Sequence, residues 1–360
     1  MKRQRSTVAG ANGMFDADGH VFEKQTEIFE FLDYPFRGKS NLLHTPFFPA
    51  FDDWNRTALS IAGNYPEGSN SPRGAEGSPG QWLEVLDRLG MDGTVLYPTA
   101  AMTVGMIREK EWAVAVSKAY NDWLHDKFLR TSDRLRGVAI LPTISPLDAA
   151  VEMRRVAREL KGMAGFFISA GVARPLGDPF YYPIYEAARE LDMMIAIHAG
   201  GPGHRLDMLD RAIMARCLGH PTSQMIQMVH MMFSGVFELF REVRFSFMEA
   251  GLGWILFSLD RMQEAYEQWS YETPELTRSP RDYLSGGQLY FHCETDEAML
   301  PYGIEMLGDS QLLYASDYPH IAPDEVVSRF HKFQTREDLA DSTKGSILGE
   351  NARRLYGFTA

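Results

Sequence analysis

A (β/α)8 barrel is the fold this sequence predicts, and three observations carry the prediction. Eight short apolar runs, rich in β-branched and aromatic residues, alternate with longer amphipathic stretches almost from end to end. The runs are continuous rather than alternating, as suits strands buried on both faces of a parallel sheet. Chemistry-bearing side chains gather where these runs end, and in such a barrel the C-terminal strand ends carry the active groups. A doubly wound sheet usually stops nearer about six strands.

In chain order, the strands are expected at 14–18 (MFDAD), 93–98 (GTVLYP), 136–142 (RGVAILP), 164–169 (AGFFIS), 193–198 (MMIAIH), 244–249 (RFSFME), 288–294 (QLYFHCE) and 312–317 (LLYASD). Helical patterns occupy 79–89, 109–130, 146–160, 182–191, 221–240, 254–269 and 297–307, and 336–355 reads as two closing helices. Ser145-Pro146 is a helix-start signal, because a proline at the first helical position has no needed N–H to lose. The exception to the rhythm is 24–78, an insertion rich in aromatics, Pro, Gly, Asn and Ser. Placed after the first strand, it would cover the barrel mouth, with Phe47, Phe48, Phe51 and Trp54 as an apolar wall or a self-packed lid. Residues 1–13 read as an N-terminal arm or an oligomer contact. No repeat or second domain is visible, so 1–360 is expected to form one barrel domain.

Composition narrows the function. With 45% hydrophobic and 23% charged residues the chain can bury a sizeable core. Thirty-six basic against 48 acidic residues leave a formal charge of −12, which argues against nucleic acid as a partner. No apolar run approaches the roughly 18 residues of a membrane span, and no apolar segment follows Lys2, Arg3 and Arg5 as a secretory signal would require. Two cysteines, Cys217 and Cys293, are too few for a disulfide framework or a cysteine zinc cluster. The expectation is a soluble cytoplasmic protein acting on a small molecule, as a homo-oligomer or in assembly with a paralogue.

The strand ends are chemically uneven. The first ends Asp16-Ala17-Asp18-Gly19-His20, the fifth in His198, the sixth in Glu249, the seventh carries His292 and Glu294, and the eighth ends Asp317-Tyr318-Pro319-His320. The second, third and fourth offer only Tyr97, Thr143 and Ser169. Asp18 and His20 are two apart, so in an extended segment both point to one side. Imidazole with carboxylate suits Zn, Mn or Fe. Such a cation could polarise a carboxylate or carbonyl and acidify a bound water. A strand-end aspartate often only caps a helix, and a lone histidine is more often packing. His44, His125, His204, His230 and His331 are read that way. The convergence of several such residues on one rim is what those readings leave unexplained, and it points to a metal site.

The segments DADGHVFE (16–23), His220-Pro221, EAGLGW (249–254), FHCETDE (291–297), MLPY (299–302), SDYPH (316–320) and GENARRLY (349–356) together resemble the amidohydrolase-related, metal-dependent barrels. The resemblance is to the branch that includes aminocarboxymuconate-semialdehyde decarboxylase and the resorcylate decarboxylases. It runs in consistent order from the first strand to the last helix. It implies Asp18, His20, His198 and Asp317 as metal ligands, with Asp317 also handling protons. Asp18 stands where these decarboxylases often have histidine, and Glu249 stands where they usually carry a catalytic one. Glu249 and His320 join Asp317 as implied catalytic residues. Glu23, Glu249, His292, Glu294 and His320 are candidates for a second metal or for the shell around the first.

Three reactions follow from this reading. The first two are close: hydrolysis, or nonoxidative decarboxylation of a small carboxylated or aromatic substrate, at one divalent Zn, Mn or Fe ion, or two. The third is oxygenation at a dinuclear iron or manganese–iron centre, which differs in needing dioxygen and a second metal. A non-catalytic binding barrel would leave the converged ligands without a purpose.

Overall fold

The computed structural model describes residues 13–49, 76–200 and 212–358. Eight parallel strands form one sheet in sequential order: β1 (Phe15–His20), β2 (Gly93–Tyr97), β3 (Leu135–Ile140), β4 (Met163–Ser169), β5 (Met194–His198), β6 (Phe245–Met248), β7 (Leu289–Cys293) and β8 (Leu312–Tyr314). Beyond the ladders, β8 meets β1 at the mouth. There Asp317 N–H donates to the Asp18 carbonyl (3.1 Å) and His20 N–H to the Tyr318 carbonyl (2.7 Å). The buried Asp16 carboxylate joins the same seam, accepting from Ser316 N–H (2.8 Å), the Ser316 hydroxyl (2.7 Å) and the Thr94 hydroxyl (2.8 Å). The sheet is thereby a nearly closed (β/α)8 barrel, as the apolar runs predict.

Eight helices follow the strands in turn: α1 (Pro79–Leu89), α2 (Lys110–Leu124), α3 (Pro146–Glu159), α4 (Tyr182–Leu191), α5 (Ala212–Phe233), α6 (Gly253–Trp269), α7 (Leu300–Leu307) and α8 (Pro323–Gln334). Local chemistry sets several ends. α1 has Ser78 and Gln81 as a reciprocal capping box, Pro79 in its first turn and Gly90 (φ 68°) at its C-cap. Among the described residues no helix is long and apolar enough to cross a membrane.

Some boundaries differ from the sequence expectation. Residues 212–220 are already helical in α5, so Pro221 lies inside the helix rather than at its start. A proline removes one hydrogen bond but does not end a helix whose other turns are held by packing. α7 begins at Leu300 instead of 297, with Pro301 in its first turn, and the Glu297 carboxylate accepts from the N–H groups of Leu252 (2.8 Å) and Gly253 (2.9 Å) at the start of α6. α8 occupies 323–334, where no helix is expected. The closing region is shorter than anticipated: Asp341–Gly345, a π-turn and Asn351–Tyr356 follow one another without a break.

In the insertion, Phe47 and Phe48 are buried. Phe47 packs edge-on against Trp112 of α2 (5.2 Å between ring centroids), and the Trp112 indole donates to its carbonyl (3.0 Å). These two residues pack on the barrel's flank and do not line the cavity described below. Phe51, Trp54 and His204 lie outside the described residues, as do residues 1–12 of the arm.

Candidate metal centre

Strand β1 presents Asp18 and His20 on one side, with Gly19 between them facing outward. The Trp82 ring of α1 closes on that backbone so tightly that a Cβ at Gly19 would fall 2.3 Å from it. The Trp82 indole donates to the His20 carbonyl (3.0 Å). Glycine at this position therefore lets α1 clamp the strand that carries both side chains. His198 is the last residue of β5.

Both histidines have one ring nitrogen committed. His20 Nδ1 lies 2.8 Å from the Pro98 carbonyl and His198 Nδ1 lies 2.6 Å from the Ala199 carbonyl. A carbonyl only accepts, so Nδ1 carries the hydrogen in each ring and Nε2 presents a lone pair. Those lone pairs converge on Asp18: His20 Nε2 is 3.5 Å from Oδ1 and His198 Nε2 is 3.3 Å from Oδ2. All three side chains are buried, and Asp18 Oδ1 and both Nε2 atoms have no hydrogen-bond partner.

Three buried groups offering only electron pairs to one another repel unless a proton or a cation lies among them. Burial pushes the Asp18 carboxyl well above its ordinary range, and the neighbouring Asp317 and Asp16 push the same way. Burial also holds the His20 imidazole well below its ordinary value, with His320 adding to the effect, and lowers His198. The N,N,O donor set fits a divalent cation. Two ligands bound at about 2.1 Å to a tetrahedral ion sit about 3.4 Å apart, close to the separations found here.

Two further carboxylates face this cluster from irregular backbone. Glu249 lies one residue past β6 (φ 58°) and Asp317 three past β8 (φ 52°), both in the left-handed region that costs a side-chain-bearing residue about 1–2 kcal/mol. Glu249 Oε2 is 3.5 Å from His198 Nε2, and its Oε1 is 3.9 Å from Nδ1 of His220 on α5. Burial pushes the Glu249 carboxyl up to about 7. Asp317 Oδ1 is 3.6 Å from His20 Nε2 and 2.7 Å from His320 Nδ1. The His320 ring lies over His20 with centroids 4.2 Å apart. A cavity of about 350 Å³ opens on Asp18, His220, Glu249, His292, Glu294 and Asp317.

The expected residues thus divide. Asp18, His20, His198, Asp317, Glu249 and His320 come together, and His292 and Glu294 line the cavity beside them. His292 Nδ1 is buried without a hydrogen-bond partner. Glu23 is not brought to the cluster: its carboxylate accepts from the N–H groups of Thr99 (3.0 Å), Ala100 (2.9 Å) and Ala101 (3.0 Å). His44 and His331 are exposed, and His230 bonds Ser234 (3.2 Å). Sequence reasoning missed His220 as a site residue. Reading the helix as starting at Pro221 left its neighbour in a loop, whereas in α5 it faces Glu249.

Residues 16–358 match the amidohydrolase family model. The chain belongs to the amidohydrolase family. This amidohydrolase is 23% identical over 286 residues to 2-amino-3-carboxymuconate-6-semialdehyde decarboxylase of Dictyostelium discoideum, covering 76% of the chain and 75% of the relative. Its fold matches 5-carboxyvanillate decarboxylase from Sphingomonas paucimobilis with a TM-score of 0.74 at 21% identity, over 96% of this chain and 99% of that one. The 5-carboxyvanillate decarboxylase of Novosphingobium aromaticivorans, solved with manganese and 4-hydroxy-3-methoxy-5-nitrobenzoic acid, matches with a TM-score of 0.70 at 19% identity, over 99% and 100% of the two chains. The family and the branch are those the motifs resemble.

Proposed function

We propose that this amidohydrolase is a metal-dependent nonoxidative decarboxylase of a small aromatic or unsaturated carboxylate, with manganese or zinc as its ion. One observation carries the reading: Asp18, His20 and His198 point unpaired donors at one point beside Asp317, in a chain whose relatives are decarboxylases. Asp18, His20 Nε2 and His198 Nε2 would hold the cation, with Asp317 beside them. The bound ion supplies positive charge that steadies the substrate's carboxylate and a neighbouring oxygen. Asp317 gives a proton to the carbon bearing the carboxylate. The carbon–carbon bond then breaks, its electrons return to the substrate and carbon dioxide leaves. Asp317, left ionised against His320, recovers a proton from water at the mouth. Carbon dioxide release from 5-carboxyvanillate, 2,6-dihydroxybenzoate and related acids tests the reading, and none released by manganese- or zinc-loaded protein would end it.

A second reading is oxygenation at a dinuclear iron or manganese–iron centre. It is favoured by Glu249, whose two oxygens face His198 and His220 where the decarboxylases usually carry a histidine. Two metals per chain with substrate-dependent oxygen uptake would select it. We also read the chain as one cytoplasmic barrel domain with 24–78 as an insertion after its first strand. Exposed Phe257 on α6, Met299 just before α7 and Tyr302 on α7 support assembly with a second copy or a paralogue. Sedimentation of the purified chain tests that part.

A further inference from the structure

Asp317 is the carboxylate that has to be aimed, and its partner His320 is itself held from the other side. His320 Nε2 lies 2.9 Å from the Thr99 hydroxyl, while Nδ1 lies 2.7 Å from Asp317 Oδ1. Thr99 is in the loop after β2, and its backbone N–H is one of the three that donate to Glu23. Glu23 follows β1. Three strand ends are thus joined in one line: Glu23 gathers the amides of 99–101, Thr99 reaches His320, and His320 reaches Asp317. The His320 ring is also confined by His20 (4.2 Å) and Phe22 (5.6 Å).

We propose that Thr99, anchored by Glu23, is a positioning residue that fixes the orientation of the His320 ring and, through it, the aim of Asp317. A carboxylate beside Nδ1 accepts, so Nδ1 carries the hydrogen, and in the neutral ring Nε2 needs a donor. The Thr99 hydroxyl supplies it, and the β-branched side chain limits that hydroxyl to few rotamers. Without the hydroxyl the ring loses the contact that holds its Nε2 edge, and only the bond from Nδ1 to Asp317 remains of this line. Partners of this kind, one step removed from the reacting groups, cost roughly 10–100-fold when lost. Glu23 acts here as the anchor of the β2 loop and not as a ligand.

The proposal rests on the decarboxylase reading for its kinetic arm but not for its spectroscopic one. The kinetic arm compares Thr99→Val, Thr99→Ser, His320→Gln and the double variant Thr99→Val/His320→Gln in metal-loaded enzyme. Thr99→Val should lower kcat about 10–100-fold with metal content and melting temperature close to wild type. Thr99→Ser should restore most of the rate. The double variant should be no slower than His320→Gln alone, because both changes break one line. The second arm reads the ring directly, by nitrogen-15 NMR of histidine-labelled, zinc-loaded protein. Wild type should show a single Nδ1–H form of His320, assigned by its loss in His320→Gln. Thr99→Val and Glu23→Gln should shift the Nε2 resonance, which loses its donor, while Nδ1 stays protonated, and Thr99→Ser should keep both resonances in place. An unchanged His320 spectrum in Thr99→Val, or fully multiplicative rate losses in the double variant, would overturn the proposal. If no decarboxylation is found at all, the proposed reaction fails and the spectra still decide the role of Thr99.

Discussion

The two halves of the centre are built differently. Asp18, His20 and His198 stand on extended strand residues, are almost wholly buried, and have their unused nitrogens tied to backbone carbonyls. Glu249 and Asp317 stand just past short strands on left-handed backbone, and their side chains keep 13% and 19% exposure toward the cavity. A holder needs immobility, which a hydrogen-bonded strand supplies without left-handed backbone strain. A proton carrier needs access to substrate and solvent, and a turn supplies that at the cost of strain. Under the proposed reading the first half would retain the metal and the second would carry the chemistry, a division that mutation can separate.

The largest effect is expected from the strand half. His198→Ala and Asp18→Asn should weaken manganese binding by more than about 100-fold, beyond the loss typical of partners outside the ligand shell. Activity should fall to background in both. Metal content by mass spectrometry is the direct check, and a variant that keeps one ion per chain would remove that residue from the holder set.

Next comes the turn half. Asp317→Asn should reduce kcat by about 10²–10⁴-fold, the span of a lost general acid or base, while metal content stays near wild type. Metal lost as completely as in Asp18→Asn would make Asp317 a holder first and erase the division between the halves.

Glu249 gives a smaller, pH-dependent effect. In metal-free protein burial raises its carboxyl from the ordinary 4.5 to about 7. Between those values the folded chain holds a proton that the unfolded chain has released, so stability is greatest below the lower value and falls as pH rises through the window. The slope is at most about 1.4 kcal/mol per pH unit. Glu249→Gln should flatten the decline in melting temperature from pH 4.5 to 7. Parallel curves for the two proteins would show that the buried carboxyl ionises without penalty.

Much of this arrangement was legible in the residues. Eight apolar runs gave the barrel, and the two-residue spacing of Asp18 and His20 gave a shared face because strand geometry is local. The strand-half residues could therefore be placed together directly. What remained hidden depends on contacts between distant segments. Nothing near Glu23 announces that three amides of the β2 loop will take its carboxylate. Nothing around Thr99 announces a histidine 221 positions away. His220 was obscured by a local cue, since Pro221 resembles a helix start and only packing carries the helix through it. The left-handed backbone at Glu249 and Asp317 was equally invisible, because glutamate rarely adopts it and aspartate does so only at occasional single positions.

That backbone supports the finest test of the comparison. Alanine normally suits a chain better than glycine, because glycine loses more conformational freedom on folding. At Asp18, in extended backbone, the alanine variant should be the more stable of the two. At positions 249 and 317 the order should invert by about 1 kcal/mol, since alanine keeps the left-handed strain and glycine relieves it. Asp192, which caps α4 at φ 50° and is largely exposed, supplies a control outside the centre. Its own ion pair with Arg244 is lost equally in both variants, so the glycine–alanine difference isolates the backbone. Denaturant melts of the metal-free variants measure all four pairs. If 192 inverts while 249 and 317 do not, the turn carboxylates sit in unstrained backbone in solution, and strain drops out as the feature that distinguishes the two halves.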